Sequence, residues 1–166
     1  MKNDYIRNKV TEAGIEEINL LDFEPKFEFT VYDMVPLLHQ GLVLRENEFK
    51  AELSKVDWYY YSNKVVAVTC SNDAIVPQWS YMLIAAKLKG VAHYASAEDI
   101  NVLRFILWRE NLLQEDFSKY KDKKVTLKAS EAVPESVYMV ATDILSTTVK
   151  TLMYGEPGMP KVIFKN

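Results

Sequence analysis

Two stretches of this 166-residue chain resemble each other closely enough to constrain how most of it is built. Asp57–Ser71 (DWYYYSNKVVAVTCS) aligns with Asp116–Ser130 (DFSKYKDKKVTLKAS), and Val76–Leu88 (VPQWSYMLIAAKL) with Val133–Leu145 (VPESVYMVATDIL). Ten of the 28 aligned positions are identical, among them Asp57/Asp116, Tyr61/Tyr120, Lys64/Lys123, Pro77/Pro134 and Tyr81/Tyr138. Unrelated segments of that length would share about two. The repeat distance of 57 to 59 residues is too long, and two copies too few, for a solenoid, so the reading is a duplicated supersecondary unit.

Each copy has the same local logic. Val65-Val66-Ala67-Val68-Thr69 and Val125-Thr126-Leu127 are short β-branched runs suited to strands. Pro77 and Pro134 fit the first turn of a helix, where a missing N–H is harmless, with Asp73 and Ser130 as upstream caps. Apolar residues then recur at helical spacing: Tyr81, Ile84, Ala85 and Leu88 in one copy, Val137, Val140, Ala141 and Ile144 in the other. Gly90 and Gly155 are natural stops, and Val91–Ala95 and Val162–Phe164 are the strands expected to follow. Between the copies, Ala97–Leu113 reads as an amphipathic helix.

Strands alternating with helices imply an α/β fold with a mostly parallel sheet, flanking helices and right-handed crossovers. Upstream, Ile15–Leu20 and Phe27–Tyr32 read as strands and Asn47–Lys55 as a helix, so the N-terminal part adds edge strands to the same sheet or packs a hairpin on it. With no Gly/Ser-rich linker, the chain reads as one α/β domain over residues 1–166, its internal repeat spanning about 57–95 and 116–164.

Charge excludes some partners. Twenty basic against 23 acidic residues give a net charge of -3, which supplies no drive toward nucleic acid or anionic lipid. The longest apolar stretch, Tyr81–Ala86, is too short to span a membrane, and the charged start lacks the apolar segment of a signal peptide. A single cysteine, Cys70, fits a reducing compartment, so the expected location is cytoplasmic.

In open parallel sheets ligands bind beyond the carboxyl ends of the strands, so the turns after the two repeated strands are the candidate sites. One is Cys70-Ser71-Asn72-Asp73-Ala74-Ile75; the other, two residues shorter, is Ala129-Ser130-Glu131-Ala132. The ligand-binding candidates are Cys70, Ser71, Asn72, Asp73 and Ser130, with a small polar or anionic ligand held by free N–H groups and hydroxyls. Cys70 would need a base to act as a nucleophile; His93 is the nearer candidate and His39 the other, and packing in the core is the stronger reading of the thiol. Glycine-rich phosphate loops are absent, so no cofactor is named. One cysteine and two histidines make no zinc cluster unless the fold gathers carboxylates such as Asp73, Glu131, Glu135 and Glu156, so no metal is expected. In Trp58-Tyr59-Tyr60-Tyr61 the second copy keeps a ring only at the first and last places, leaving Tyr59 and Tyr60 free for a partner surface.

Three segments together are distinctive: Gly41-Leu42-Val43-Leu44-Arg45-Glu46, then Cys70-Ser71-Asn72-Asp73-Ala74-Ile75-Val76-Pro77 with Trp79 and Tyr81-Met82, then Val133-Pro134-Glu135-Ser136 with Gly155-Glu156-Pro157. This combination resembles a bacterial family catalogued only as a domain of unknown function. The resemblance runs from about Asn8 to the end and implies a bacterial, cytoplasmic, single-domain protein, with no established activity to carry over. In that family's pattern a cysteine follows the Gly-Glu-Pro; here the place is Gly158. Two functions follow as expectations: small-ligand binding, with or without catalysis, at the Cys70–Asp73 turn, or a non-catalytic homodimeric interaction module using Tyr59 and Tyr60.

Overall fold

A computed structural model describes residues 14–156 and 159–166. In chain order its strands are β1 (Ile15–Ile18), β2 (Phe29–Asp33), β3 (Val65–Thr69), β4 (Tyr94–Ser96), β5 (Lys124–Lys128), β6 (Thr151–Gly155) and β7 (Lys161–Lys165). The α-helices among the described residues are α1 (Glu46–Leu53), α2 (Gln78–Leu88), α3 (Ile100–Gln114) and α4 (Glu135–Ser146). They gather into two compact units: an inserted unit, Lys26–Arg104, and a split unit made of residues 14–25 together with the described residues from Phe105 to Asn166.

In the inserted unit the sheet order is β2-β3-β4, parallel throughout. The central strand, Val65-Val66-Ala67-Val68, is buried along its length, as a parallel strand covered on both faces must be. Helix α2 turns Ile84 and Leu88 onto a core with Val66, Val68, Phe49 and Leu53. A fully buried aliphatic side chain of this kind contributes roughly 1.5–3 kcal/mol.

In the split unit the order is β1-β5-β6-β7. Strands β1, β5 and β6 are parallel, and β7 closes the edge antiparallel to β6. Val137, Ala141 and Leu145, four residues apart, form the buried stripe of α4 against Val125, Leu127 and Leu152. Trp108 of α3 is 1% exposed, and its indole N–H donates to the Leu20 carbonyl at 3.0 Å.

Corresponding residues do corresponding work in the two units. Asp57 accepts a hydrogen bond from the Tyr59 N–H, and Asp116 from the Ser118 N–H, each capping a 3-10 turn. Asn63 and Asp122, with φ of 58° and 59°, turn the chain into β3 and β5; both residue types tolerate the left-handed region. Lys64 pairs with Glu28 at 2.8 Å and Lys123 with Glu16 at 3.0 Å, each tying the turn to the strand supplied from upstream.

The mixed α/β, mostly parallel expectation holds, but the single sheet does not. The upstream strands divide, β1 joining β5 and β2 joining β3 in separate sheets. Helix α4 ends at Ser146, and Gly155 is the last residue of β6 (φ +132°) rather than a helix stop. Val162–Phe164 falls in the antiparallel β7, so the counterpart of β4 is β6. Pro77 and Pro134 occupy the cap positions themselves, with no side-chain cap bond, so Asp73 and Ser130 do not cap these helices. Among the described residues no helix is long and apolar enough to cross a membrane.

Candidate functional site

The Cys70–Asp73 turn lies beyond the carboxyl end of β3, where its polar groups are already engaged. Asp33, the last residue of the neighbouring β2, accepts from the Ser71 hydroxyl at 2.5 Å, the Ser71 N–H at 3.2 Å and the Val35 N–H at 3.1 Å. Burial works against the Asp33 carboxylate, but the Ser71 hydroxyl and the two N–H donors outweigh it and hold the carboxyl below its ordinary range. The Asn72 amide donates to the Gly41 carbonyl at 2.8 Å. Gly41 has φ +71°, and a Cβ there would come within 3.3 Å of that same amide nitrogen, so the site favours glycine twice over. Ser71 and Asn72 thus lock the turn to the end of β2 and to the loop at Gly41.

Cys70 is half-buried, packs against the inserted unit's core, and its thiol lies 3.7 Å from the Asn72 carbonyl. No helix begins near it, since α2 starts only at Gln78. His93 sits at the opposite end of the sheet: its N–H donates to the Lys64 carbonyl, one residue before β3, whereas Cys70 follows β3. At about 3.3 Å per residue the two are roughly 20 Å apart along the strand direction. His93 instead stacks on Phe27, ring centroids 3.7 Å apart, and His39 bonds Glu48 at 2.9 Å. His93 is therefore not placed to activate the thiol, and the His39 ring is engaged by Glu48. Asp73 is exposed on the rim of a hollow of about 380 Å³ otherwise lined by Leu42, Val43, Leu44, Ile75 and Pro77.

Ser130 stands in a different setting. A cleft of about 810 Å³ in the split unit is lined by Leu127, Ala129, Ser130, Glu131, Val133, Glu135, Tyr138, Thr142, Tyr154, Glu156 and Ile163. These residues come from the carboxyl ends of β5 and β6, the following turns, the first two turns of α4, and β7. Tyr138 holds the mouth in shape: its hydroxyl donates to the Lys128 carbonyl at 2.8 Å and accepts the Ser130 N–H at 3.0 Å. The Ser130 hydroxyl accepts the Ala132 N–H at 3.2 Å. Burial raises the Tyr138 hydroxyl above the ordinary phenol value; the Ser130 N–H opposes the rise and the Tyr154 neighbour adds to it. The Tyr138 and Tyr154 rings meet edge to face, centroids 5.3 Å apart.

The charge of this cleft is one-sided. Glu131, Glu135 and Glu156 line it, with no lysine, arginine or histidine, and none of the three has an ion-pair partner among the described residues. The described residues include no group of three or more His, Cys, Asp or Glu side chains arranged to hold a metal ion. The fold brings three of the four carboxylates singled out in the sequence to the lining of one cleft; Asp73 belongs to the other unit.

Of the aromatic run, Trp58 and Tyr61 pack against Tyr32 (centroids 5.1 and 5.6 Å), while Tyr59 and Tyr60 remain 80% and 59% exposed. Two participants escaped the sequence reading. Asp33 sits at the end of a strand outside the repeat and carries no motif. Tyr154 lies in β6, which the sequence reading ran into the preceding helix. Tyr138 was visible as an identity with Tyr81, which was the one available signal.

A family profile described as "Protein of unknown function (DUF2480)" matches residues 4–166. No curated protein and no solved structure matches the chain. With the match extending over nearly its whole length, the chain belongs to the DUF2480 family of proteins of unknown function.

Proposed function

We propose that this protein, acting in the cytoplasm, binds a small positively charged organic molecule in the cleft at the carboxyl ends of β5 and β6. The observation that carries the reading is the cleft itself: about 810 Å³, two tyrosine rings on its wall and, among the described residues, three carboxylates without ion-pair partners and no basic lining residue. A primary or secondary ammonium would meet carboxylate oxygens and an aromatic face at once, and each contact favours a cation over an anion. The anionic ligand expected at the Cys70–Asp73 turn has less support, because the Ser71 N–H and hydroxyl are committed to Asp33 and the Asn72 amide to Gly41.

Calorimetric titration with benzylammonium, with benzoate as the opposite-charge control, tests the reading. The expected result is saturable binding of the cation alone, weakened about tenfold when Glu131 and Glu135 are both changed to Gln. Two partly exposed charge contacts together supply about the 1.4 kcal/mol that tenfold represents. Equal binding of the anion, or an unchanged affinity in the double variant, would remove the proposal.

The homodimeric interaction reading keeps one supporting observation, the exposure of Tyr59 and Tyr60. Sedimentation velocity up to millimolar concentration decides it: a concentration-dependent shift abolished by Tyr59→Ser with Tyr60→Ser sustains the dimer, and a strict monomer ends it.

A further inference from the structure

The inserted unit has a hollow at the position that corresponds to the cleft, with the opposite chemistry. Alignment of Val66 with Val125 carries Val68 onto Leu127, Tyr81 onto Tyr138 and Ala85 onto Thr142. The strand registers complete the match: Val66 pairs with Ala95 and Val125 with Leu152, so Ala97 stands where Tyr154 stands. A cavity of about 220 Å³ is lined by Val68, Tyr81, Met82, Ala85, Ala95, Ser96 and Ala97. All four of those corresponding residues line it, as their counterparts line the larger cleft.

We propose that this hollow is a second binding site, for a small uncharged molecule about one aromatic ring in size. Three observations carry it. The site lies at the carboxyl end of a parallel strand pair, where open α/β sheets bind ligands. Among the described residues its lining contains no charged side chain, so an ion entering it would lose hydration without a charged partner in return. Its volume exceeds the roughly 150 Å³ of an aliphatic-lined cavity that takes up benzene. Among the described lining residues only Tyr81 and Ser96 carry a hydroxyl, which suits a ligand with few polar atoms. Tyr154 and Ile163 line the split unit's cleft; here Ala97 replaces the tyrosine, and among the described residues this sheet has no strand corresponding to β7. The inference stands apart from the cation reading of the other cleft and survives its failure.

Methyl NMR on protein labelled at methionine and alanine reads the site through Met82, Ala85, Ala95 and Ala97. Titration with phenol should give saturable shifts at these methyls, while benzylammonium and benzoate bind there at least tenfold more weakly. Ala85 is exposed on α2, so Ala85→Trp fills the hollow without disturbing the core and should weaken phenol at least tenfold. As a second variant, Met82→Glu places a charge at the rim and should shift the preference from phenol toward benzylammonium. Absence of saturable shifts, equal affinity for the charged analogues, or phenol binding untouched by both variants would overturn the proposal.

Discussion

Asp33 carries more of the Cys70–Asp73 turn than any residue within it. Its carboxylate receives three hydrogen bonds at 2.5 to 3.2 Å and joins the ends of β2 and β3. Hydrogen bonds to a charged acceptor are worth about 1.5–3 kcal/mol, so Asp33→Ala is expected to lower unfolding stability by about 2 kcal/mol. Asp33→Asn keeps one acceptor oxygen and should cost less. Because the folded carboxyl is held below its ordinary value, its contribution is complete above the unfolded value of about 4 and is lost as pH falls through the folded value. Urea melts of wild type and Asp33→Ala should therefore differ by a constant amount from pH 7 to 5 and converge at lower pH. A gap independent of pH down to acid unfolding would show that the charge contributes nothing. The sequence offered no hint of Asp33, since a lone aspartate after a strand gives no local signal of a partner 38 residues away.

At the scale of elements, legibility followed the strength of the local pattern. β3 was readable because Val65-Val66-Ala67-Val68-Thr69 is β-branched and bounded by turns, and β5 because it aligns with it. The α4 stripe was readable in position but off by a residue at its end, the buried residue being Leu145 rather than Ile144. β6 was invisible for a physical reason: no glycine or proline separates Ser146 from Thr151, so nothing local marks where helix ends and strand begins. The chain reverses instead through Thr147 and the Thr148 and Val149 N–H groups, both bonded to the Leu145 carbonyl at 3.0 Å. That missed strand hid the larger cleft. Glu131 and Glu135 were legible as carboxylates four residues apart in the sequence, but β6 brings Tyr154 and Glu156 to the same cleft. Reading Tyr81 as helix stripe rather than as a wall residue had the same origin, because helical spacing alone does not separate a core face from a cleft wall.

At the scale of the whole molecule, two units share a plan and differ at one place on it. Each has a cap aspartate, a left-handed Asn or Asp, a lysine paired to an upstream glutamate, a buried strand, and a proline-capped helix with a tyrosine in its first two turns. Such agreement falls on residues that position backbone, where substitution is costly. The difference falls on the strand ends, where one unit presents three carboxylates and an extra strand and the other presents alanines. That is the distribution expected when a scaffold is kept and the surface at its strand ends is free to change. The most direct test of the central claim is a crystal structure of the full chain grown with benzylammonium at saturating concentration. The account predicts the ring against Tyr138 or Tyr154 and the ammonium nitrogen within hydrogen-bond distance of Glu131, Glu135 or Glu156. A cleft without the cation at that concentration, or the cation bound only away from these carboxylates, would contradict it.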